Sequence, residues 1–162
     1  MKTLESLAFG SVPVASGDDT YVTREVTLAG RTAPRSLFLE EGLGAERLAG
    51  ICPLLDDLET LDVRARAALR DALEADPEGT VGEYLTVPLQ ERPAALASVV
   101  QGESLTAAVL LEHLELRGVG AHLRPEGFAL ALDYAPGRDH GGRLLIVTLD
   151  PTGTPVGIAS EG

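Results

Sequence analysis

LRGVGAHLRPEGFALALDYAPGRDHGGRLLIVTLDPTGTPVGIA, residues 116–159, is the stretch that decides the fold. Four β-rich runs, Leu116 to Leu123, Phe128 to Tyr134, Arg143 to Leu149 and Pro155 to Ala159, are separated by Arg124-Pro125-Glu126-Gly127, Ala135 to Gly142 and Asp150-Pro151-Thr152-Gly153. Each separator is rich in Pro, Gly and Asp, which supply the fixed or positive φ of turns. Short strands joined by turns pair with their sequence neighbours, so the spacing predicts a four-stranded antiparallel meander.

The first forty residues carry the same signature. Leu7 to Val14 and Thr20 to Leu28 flank the turn-forming Ser16-Gly17-Asp18-Asp19. In the second run Val22, Arg24, Val26 and Leu28 alternate with Tyr21, Thr23, Glu25 and Thr27, so one face is the more apolar. Ala29-Gly30-Arg31 supplies a further turn and Ser36 to Glu40 a third strand, which predicts an N-terminal three-stranded meander.

Between the two meanders the period becomes helical. Leu48, Ile51, Leu54, Leu55 and Leu58 recur at spacings of three and four, with Pro53 expected to begin or kink a helix because it lacks a donor N–H. The clearest helix runs from about Asp62 to Ala75, with Asp62 as its cap and Leu61, Ala65, Ala68, Leu69, Ala72 and Leu73 on one face. Asp76-Pro77-Glu78-Gly79 stops it. From Thr80 to Gly102, Pro88 and Pro93 interrupt any long element, while Val81, Tyr84 and Leu85 suggest a helical turn. Ser104 to Glu115 reads as a helix capped by Ser104, with Leu105, Ala108, Val109 and Leu111 as its apolar register. Strands grouped at both ends with helices between them predict a single α+β domain over residues 1–162, an antiparallel sheet with helices packed on one face. Its expected core is Phe128, Leu130, Leu132, Leu144, Ile146, Leu61, Leu69 and Leu73.

Several stretches together resemble a bacterial family catalogued as domain of unknown function two-thousand-and-four. They are Phe9-Gly10, the hairpin Val26-Thr27-Leu28-Ala29-Gly30-Arg31, Leu58-Glu59-Thr60-Leu61-Asp62 leading into Ala65-Arg66-Ala67-Ala68-Leu69, and Asp133-Tyr134 followed by Leu144 to Asp150. The resemblance spans most of the chain and implies the architecture above. Members of that family tend to carry histidine after the Glu-Tyr of the middle segment, where Glu83-Tyr84 is followed here by Val87-Pro88. The family has no established activity to transfer, so the resemblance leaves function open.

Composition narrows the function classes. With 13 basic and 25 acidic residues the net charge is -12, which disfavours nucleic acid and anionic membranes as partners because both need a cationic patch. A basic protein is electrostatically permitted. Lysine occurs only as Lys2, and asparagine and tryptophan are absent, a bias that a GC-rich bacterial genome imposes. Cys52 is alone, so neither an intrachain disulfide nor a cysteine zinc cluster is expected. Without a signal-like N-terminus or an apolar run long enough to span a bilayer, the sequence predicts a cytoplasmic protein.

Candidate chemistry gathers in one place. The loop Ala135 to Gly142 and its flanks place Asp133, Asp139 and His140 near one another in sequence, and His122 lies one strand earlier. These four are the candidate catalytic residues, with His140 as a general base oriented by Asp133, or with His140, Asp139 and His122 as metal ligands, for which the spacing falls short of metal motifs. The simpler expectation is an exposed, mobile loop. Asp150-Pro151-Thr152-Gly153-Thr154 is similar to the aspartyl nucleophile string of phosphoryl-transferring ATPases, but Asp, Pro and Gly at the first, second and fourth positions are what a type I turn requires. Gly118 and Gly120 form a short GxG inside a strand pattern, which is not a dinucleotide fingerprint. Asp56-Asp57 and Asp62 lack calcium-loop spacing, and His113 suits a helix C-terminus. No cofactor and no metal is expected. The leading functional expectation is a non-enzymatic protein-binding module of immunity or adaptor type with a partner that is another, basic protein; the alternative is a small hydrolase using His122, Asp133, Asp139 and His140 at the sheet edge.

Overall fold

The computed structural model describes residues 2–91, 106–136 and 143–161. Strands β1 (Lys2–Ser6) and β2 (Gly10–Val14) form a separate hairpin. A six-stranded sheet follows in the order β3 (Thr20–Leu28), β4 (Arg31–Leu39), β5 (Glu115–Arg124), β6 (Gly127–Ala135), β7 (Leu144–Leu149) and β8 (Pro155–Glu161). Between β4 and β5 the described residues hold helices α1 (Gly44–Asp56), α2 (Leu58–Ala75), α3 (Thr80–Glu91) and α4 (Ala107–Glu112). The α+β class and the C-terminal four-stranded meander are as the sequence predicts.

The N-terminal half differs from expectation in two ways. Its first pair of strands stands apart from the main sheet, and the run Leu7 to Val14 is a turn followed by β2, with β1 lying ahead of it. Leu7 lies in the turn and is fully outward, while the Ser6 hydroxyl accepts from Phe9 N–H at 2.9 Å and Gly10 takes φ +73° to close the hairpin. β4 begins at Arg31 rather than Ser36, and Pro34 sits within it opposite Glu25. That proline is tolerated because β4 meets β5 only over Ser36–Leu39, beyond the missing donor. The β4–β5 pair is parallel, so the sheet is mixed rather than wholly antiparallel. A parallel neighbour needs a long crossover, and the helical segment provides it.

Register assigns the two faces. The rows Thr20-Leu39-Ala121-Leu130-Leu149 and Val22-Leu37-Val119-Leu132-Val147 point toward the helices. Leu130, Leu132, Tyr134, Leu145, Val147 and Leu149 are completely buried and share one cluster with Leu48, Ile51 and Leu55 of α1 and Leu61, Ala65 and Leu69 of α2. Leu144 and Ile146 were expected in this core and instead lie half-buried on the opposite face. Leu144-Leu145-Ile146-Val147 is an unbroken apolar run, which carries no alternation, and a one-residue slip exchanges the faces.

The helices also depart in detail. Pro53 lies inside α1 without breaking it; the chain turns at Asp57, whose N–H donates to Leu54 O at 3.1 Å. α2 starts at Leu58, so Asp62 is not a cap but a buried residue of its second turn, 4% exposed. α3 continues through Pro88 for three turns, whereas Pro93 and the expected cap Ser104 lie outside the described residues. Thr106 caps α4, accepting from Val109 N–H at 3.2 Å. Leu110 and Leu111 face inward there, while Ala108 is exposed.

Polar groups fasten the layers. Tyr134 of β6 donates its hydroxyl to Asp62 Oδ1 at 2.7 Å, and Arg66 Nε meets both Asp62 oxygens at 3.1 and 3.0 Å while its guanidinium lies 5.1 Å from the Tyr134 ring centre. Arg35, 3% exposed, donates to the carbonyls of Val26, Arg31 and Leu116. Arg47 Nε donates to Gly127 O at 2.6 Å and Arg64 to Gly153 O at 3.3 Å, so two helix arginines hold two turns of the meander.

Two substitutions test this account. Tyr134→Phe removes one of Asp62's partners without opening a cavity, and is expected to lower stability by about 1–3 kcal/mol in denaturant unfolding. The β3–β4 turn places Ala29 at φ +50° and Gly30 at φ +79°, the two positive values of a type I′ hairpin. Ala29 is strained there, and Ala29→Asn is expected to raise the unfolding midpoint, corresponding to about 0.5–1 kcal/mol.

Candidate functional site

The face of the sheet turned away from the helices carries His122 and Asp133 of the four sequence-predicted residues. Its central rows run Tyr21-Phe38-Gly120-Ala131-Thr148-Gly157 and Thr23-Ser36-Gly118-Asp133-Ile146-Ala159 across all six strands. The floor is therefore glycine at β5, facing Ala131 and Asp133 at β6. This is a packing requirement at two points: a Cβ on Gly118 would come within 2.2 Å of Ser36 Oγ, and one on Gly120 within 2.9 Å of His122 Nε2. The Ser36 and His122 side chains thus lie over the glycines of β5.

His122 is held at one end of this face. Its ring centre is 5.5 Å from that of Phe38, and its Nδ1 is 4.0 Å from Glu40 Oε2, an oxygen that also accepts from Leu123 N–H. Asp133 is at the other end. It pairs with Gly118, whereas His122 pairs with Ala129, four residues away along β6. At the rise of an extended strand that is ~13 Å, well beyond proton-transfer distance. The structure puts His122 and Asp133 on one face and does not bring them together. Asp139 and His140 lie outside the described residues.

Asp133 is nonetheless the candidate with altered chemistry. Burial, with the charge of Glu161 adding to it, pushes its carboxyl up to about 6. Both effects penalise the ionised form. The loop expected at Ala135 to Gly142 begins later than its sequence suggests: Ala135 and Pro136 are buried, and residues 137–142 lie outside the described residues. Tyr84 of α3 secures the bases of that loop, donating to Arg143 O at 3.1 Å and reaching Tyr134 O at 3.4 Å. Burial raises its phenol to about 12, with Arg143, 5.9 Å from the ring centre, opposing the shift. In the sequence only its apolar helical spacing and the Glu83-Tyr84 pair of the family resemblance mark Tyr84. Tyr134 is pushed upward still further, first by burial and then by Asp62, so it stays a hydrogen-bond donor rather than a base.

The remaining sequence candidates take structural places. Asp150 O accepts from Gly153 N–H at 2.9 Å, which closes the turn, and its carboxylate is held below its ordinary value first by the Thr152 hydroxyl, which donates to it at 2.6 Å, and then by the N–H groups of Thr154 and Thr152. Cys52 is half-buried on α1. Asp56 accepts from Leu7 N–H, and Asp57 from the Thr60 hydroxyl. His113 follows α4 as its C-cap. Among the described residues no three His, Cys, Asp or Glu side chains gather as a metal site requires. A hollow of about 360 Å³ at the head of α1 is lined by Lys2, Asp18, Glu40 and Glu41 among others, so carboxylates oppose an anion at that helix start.

No helix among the described residues is long and apolar enough to cross a membrane. No protein-family model, curated protein or solved structure matches the chain.

The Asp133 shift has a signed consequence for stability. The folded carboxyl titrates at about 6 against 3.8 for the ordinary group, so the folded state favours its proton. The contribution of this group to stability is then fullest below pH 3.8 and is lost as pH rises through about 6. Asp133→Asn is expected to stabilise the protein by about 1–3 kcal/mol above pH 7 and to change little below pH 4, read from unfolding midpoints across that range.

Proposed function

We propose that this chain is a non-enzymatic protein-binding module of immunity or adaptor type whose partner is basic. The observation that carries it is where the charge lies. The net charge is -12, yet the charged residues buried among those described are only Arg35 and Asp62. The acidic excess is therefore displayed at the surface, where it attracts cationic surfaces and repels nucleic acid and anionic headgroups. A cytoplasmic setting accords with the lone Cys52, and kinship with the uncharacterised bacterial family named above accords with the residues quoted for it.

A second reading, a small hydrolase, is favoured by one observation, the Asp133 carboxyl lifted to about 6, where a carboxylic acid can exchange protons near neutrality. Its distance from His122 leaves that pair without a shared reacting atom.

Affinity capture from native lysate, followed by mass spectrometry at ~50 mM and ~500 mM salt, tests the leading reading. A stoichiometric basic protein retained at low salt and released at high salt is expected, and it should be retained equally by Asp133→Asn. Recovery of no protein at low salt, or loss of the partner with Asp133→Asn, would count against it.

A further inference from the structure

The two edges of the main sheet are built differently. β3 is guarded: Thr20 Oγ1 accepts from Ala15 N–H, Asp19 just before the strand accepts from Glu41 N–H, and Arg24 and Glu25 set charges at mid-strand. β8 pairs with β7 on one side, and among the described residues no strand pairs with its other side. Pro155 and the register shift between Thr148 and Leu149 protect only its start. Beyond them Val156 is 62% exposed, and Gly157, Ala159, Ser160 and Glu161 are exposed as well. This edge has neither lysine nor an internal proline, the devices that ordinarily keep a strand from accepting another.

Charge tells what such an edge would accept. Glu161 is the only ionisable residue of β8 and pairs with Leu144, on the same face as Asp133. Among the described residues neither carboxylate forms an ion pair, and the charge of Glu161 contributes to the raised pKa of Asp133. A strand laid against β8 would lie ~4.8 Å away, with alternate side chains on that face. A second copy of the chain would bring another charge of -12 to the same edge, whereas cationic side chains would relieve Glu161.

We propose that the outer edge of β8, which no described strand pairs with, takes an extended basic segment of a partner polypeptide as a seventh strand, with arginine or lysine at the alternate positions that face Glu161. This rests on the protein-binding reading and specifies its surface. Backbone hydrogen bonds supply the hold, and the alternating cations supply the selection.

The test uses the full ¹⁵N-labelled chain titrated with an eight-residue peptide alternating arginine and valine. Comparators carry proline in place of each valine or glutamate in place of each arginine. The arginine–valine peptide should shift the amides of residues 155–161 and slow their exchange, with affinity falling about tenfold between ~50 and ~300 mM salt. Both comparators should bind at least about tenfold more weakly, and Glu161→Lys should weaken the first peptide about fivefold without lowering the protein's unfolding midpoint. Equal binding of the proline peptide would reduce the effect to charge alone and overturn the proposal. So would shifts centred away from β8, or concentration-dependent shifts at β8 without peptide, which would mean that a second copy occupies the edge. The two readings fail separately. A captured basic protein whose cross-links avoid β8 sinks the edge and leaves the binding module standing, whereas peptide pairing at β8 with no protein captured from lysate does the reverse.

Discussion

A buried guanidinium sits where the two halves of the chain meet. Arg35 of β4 donates to the carbonyls of Val26 in β3, Arg31 in its own strand and Leu116 in β5. Removing a cation from water costs several kcal/mol unless its donors are used, and the planar fork of arginine can use them on several carbonyls at once. Burial lowers the pKa of Arg35, and the charges of Glu115 and Asp62 oppose that shift. Asp62 comes from α2 and is itself held by Arg66 and by the Tyr134 hydroxyl. The parallel β4–β5 junction and the seating of α2 on the sheet are therefore one electrostatic problem with one solution.

Much of this fold is legible because turn residues punctuate it. The C-terminal meander is bounded by Pro, Gly and Asp, and Val26 and Leu28 turn inward as the alternation of Thr20 to Leu28 indicates. Elements went unread where local chemistry was silent. β1 contributes only Leu4 to the core, so Lys2–Ser6 shows no apolar run. Asp62 has a capping residue's composition at a plausible helix start, and only the arrival of Tyr134 from 72 residues away makes it a core group. The continuous apolar run of β7 fits either face, and its pairing with β6 decides between them.

The candidate site was less legible than the fold. Sequence gives the spacing of His122 and Asp133, but their distance depends on the register of β5 against β6, and that register places them on rungs at opposite ends of the face. The raised carboxyl of Asp133 arises from its surroundings, including Glu161 two strands away, which no local motif encodes. Tyr84 closes the base of the β6–β7 loop from a helix that Pro88, with Pro93 just beyond, obscures in the sequence. In each case the missing information was a long-range contact.

The parallel junction also sets an order of events during synthesis. Arg35 and its acceptor Leu116 are 81 residues apart, and the parallel partners of Ser36 to Leu39 lie as far downstream. As the chain leaves the ribosome, β3 and β4 can pair at once through their two-residue turn, but the far side of β4 has no partner until the whole helical crossover has emerged. Loop closure over that span is slow relative to local pairing. The nascent N-terminal half thus spends seconds as a two-stranded ribbon with an unfilled edge and a guanidinium still in water, at synthesis rates of about 5–20 residues per second. Chaperone dependence and premature self-association would be concentrated in that interval, before β5 arrives to seal the sheet.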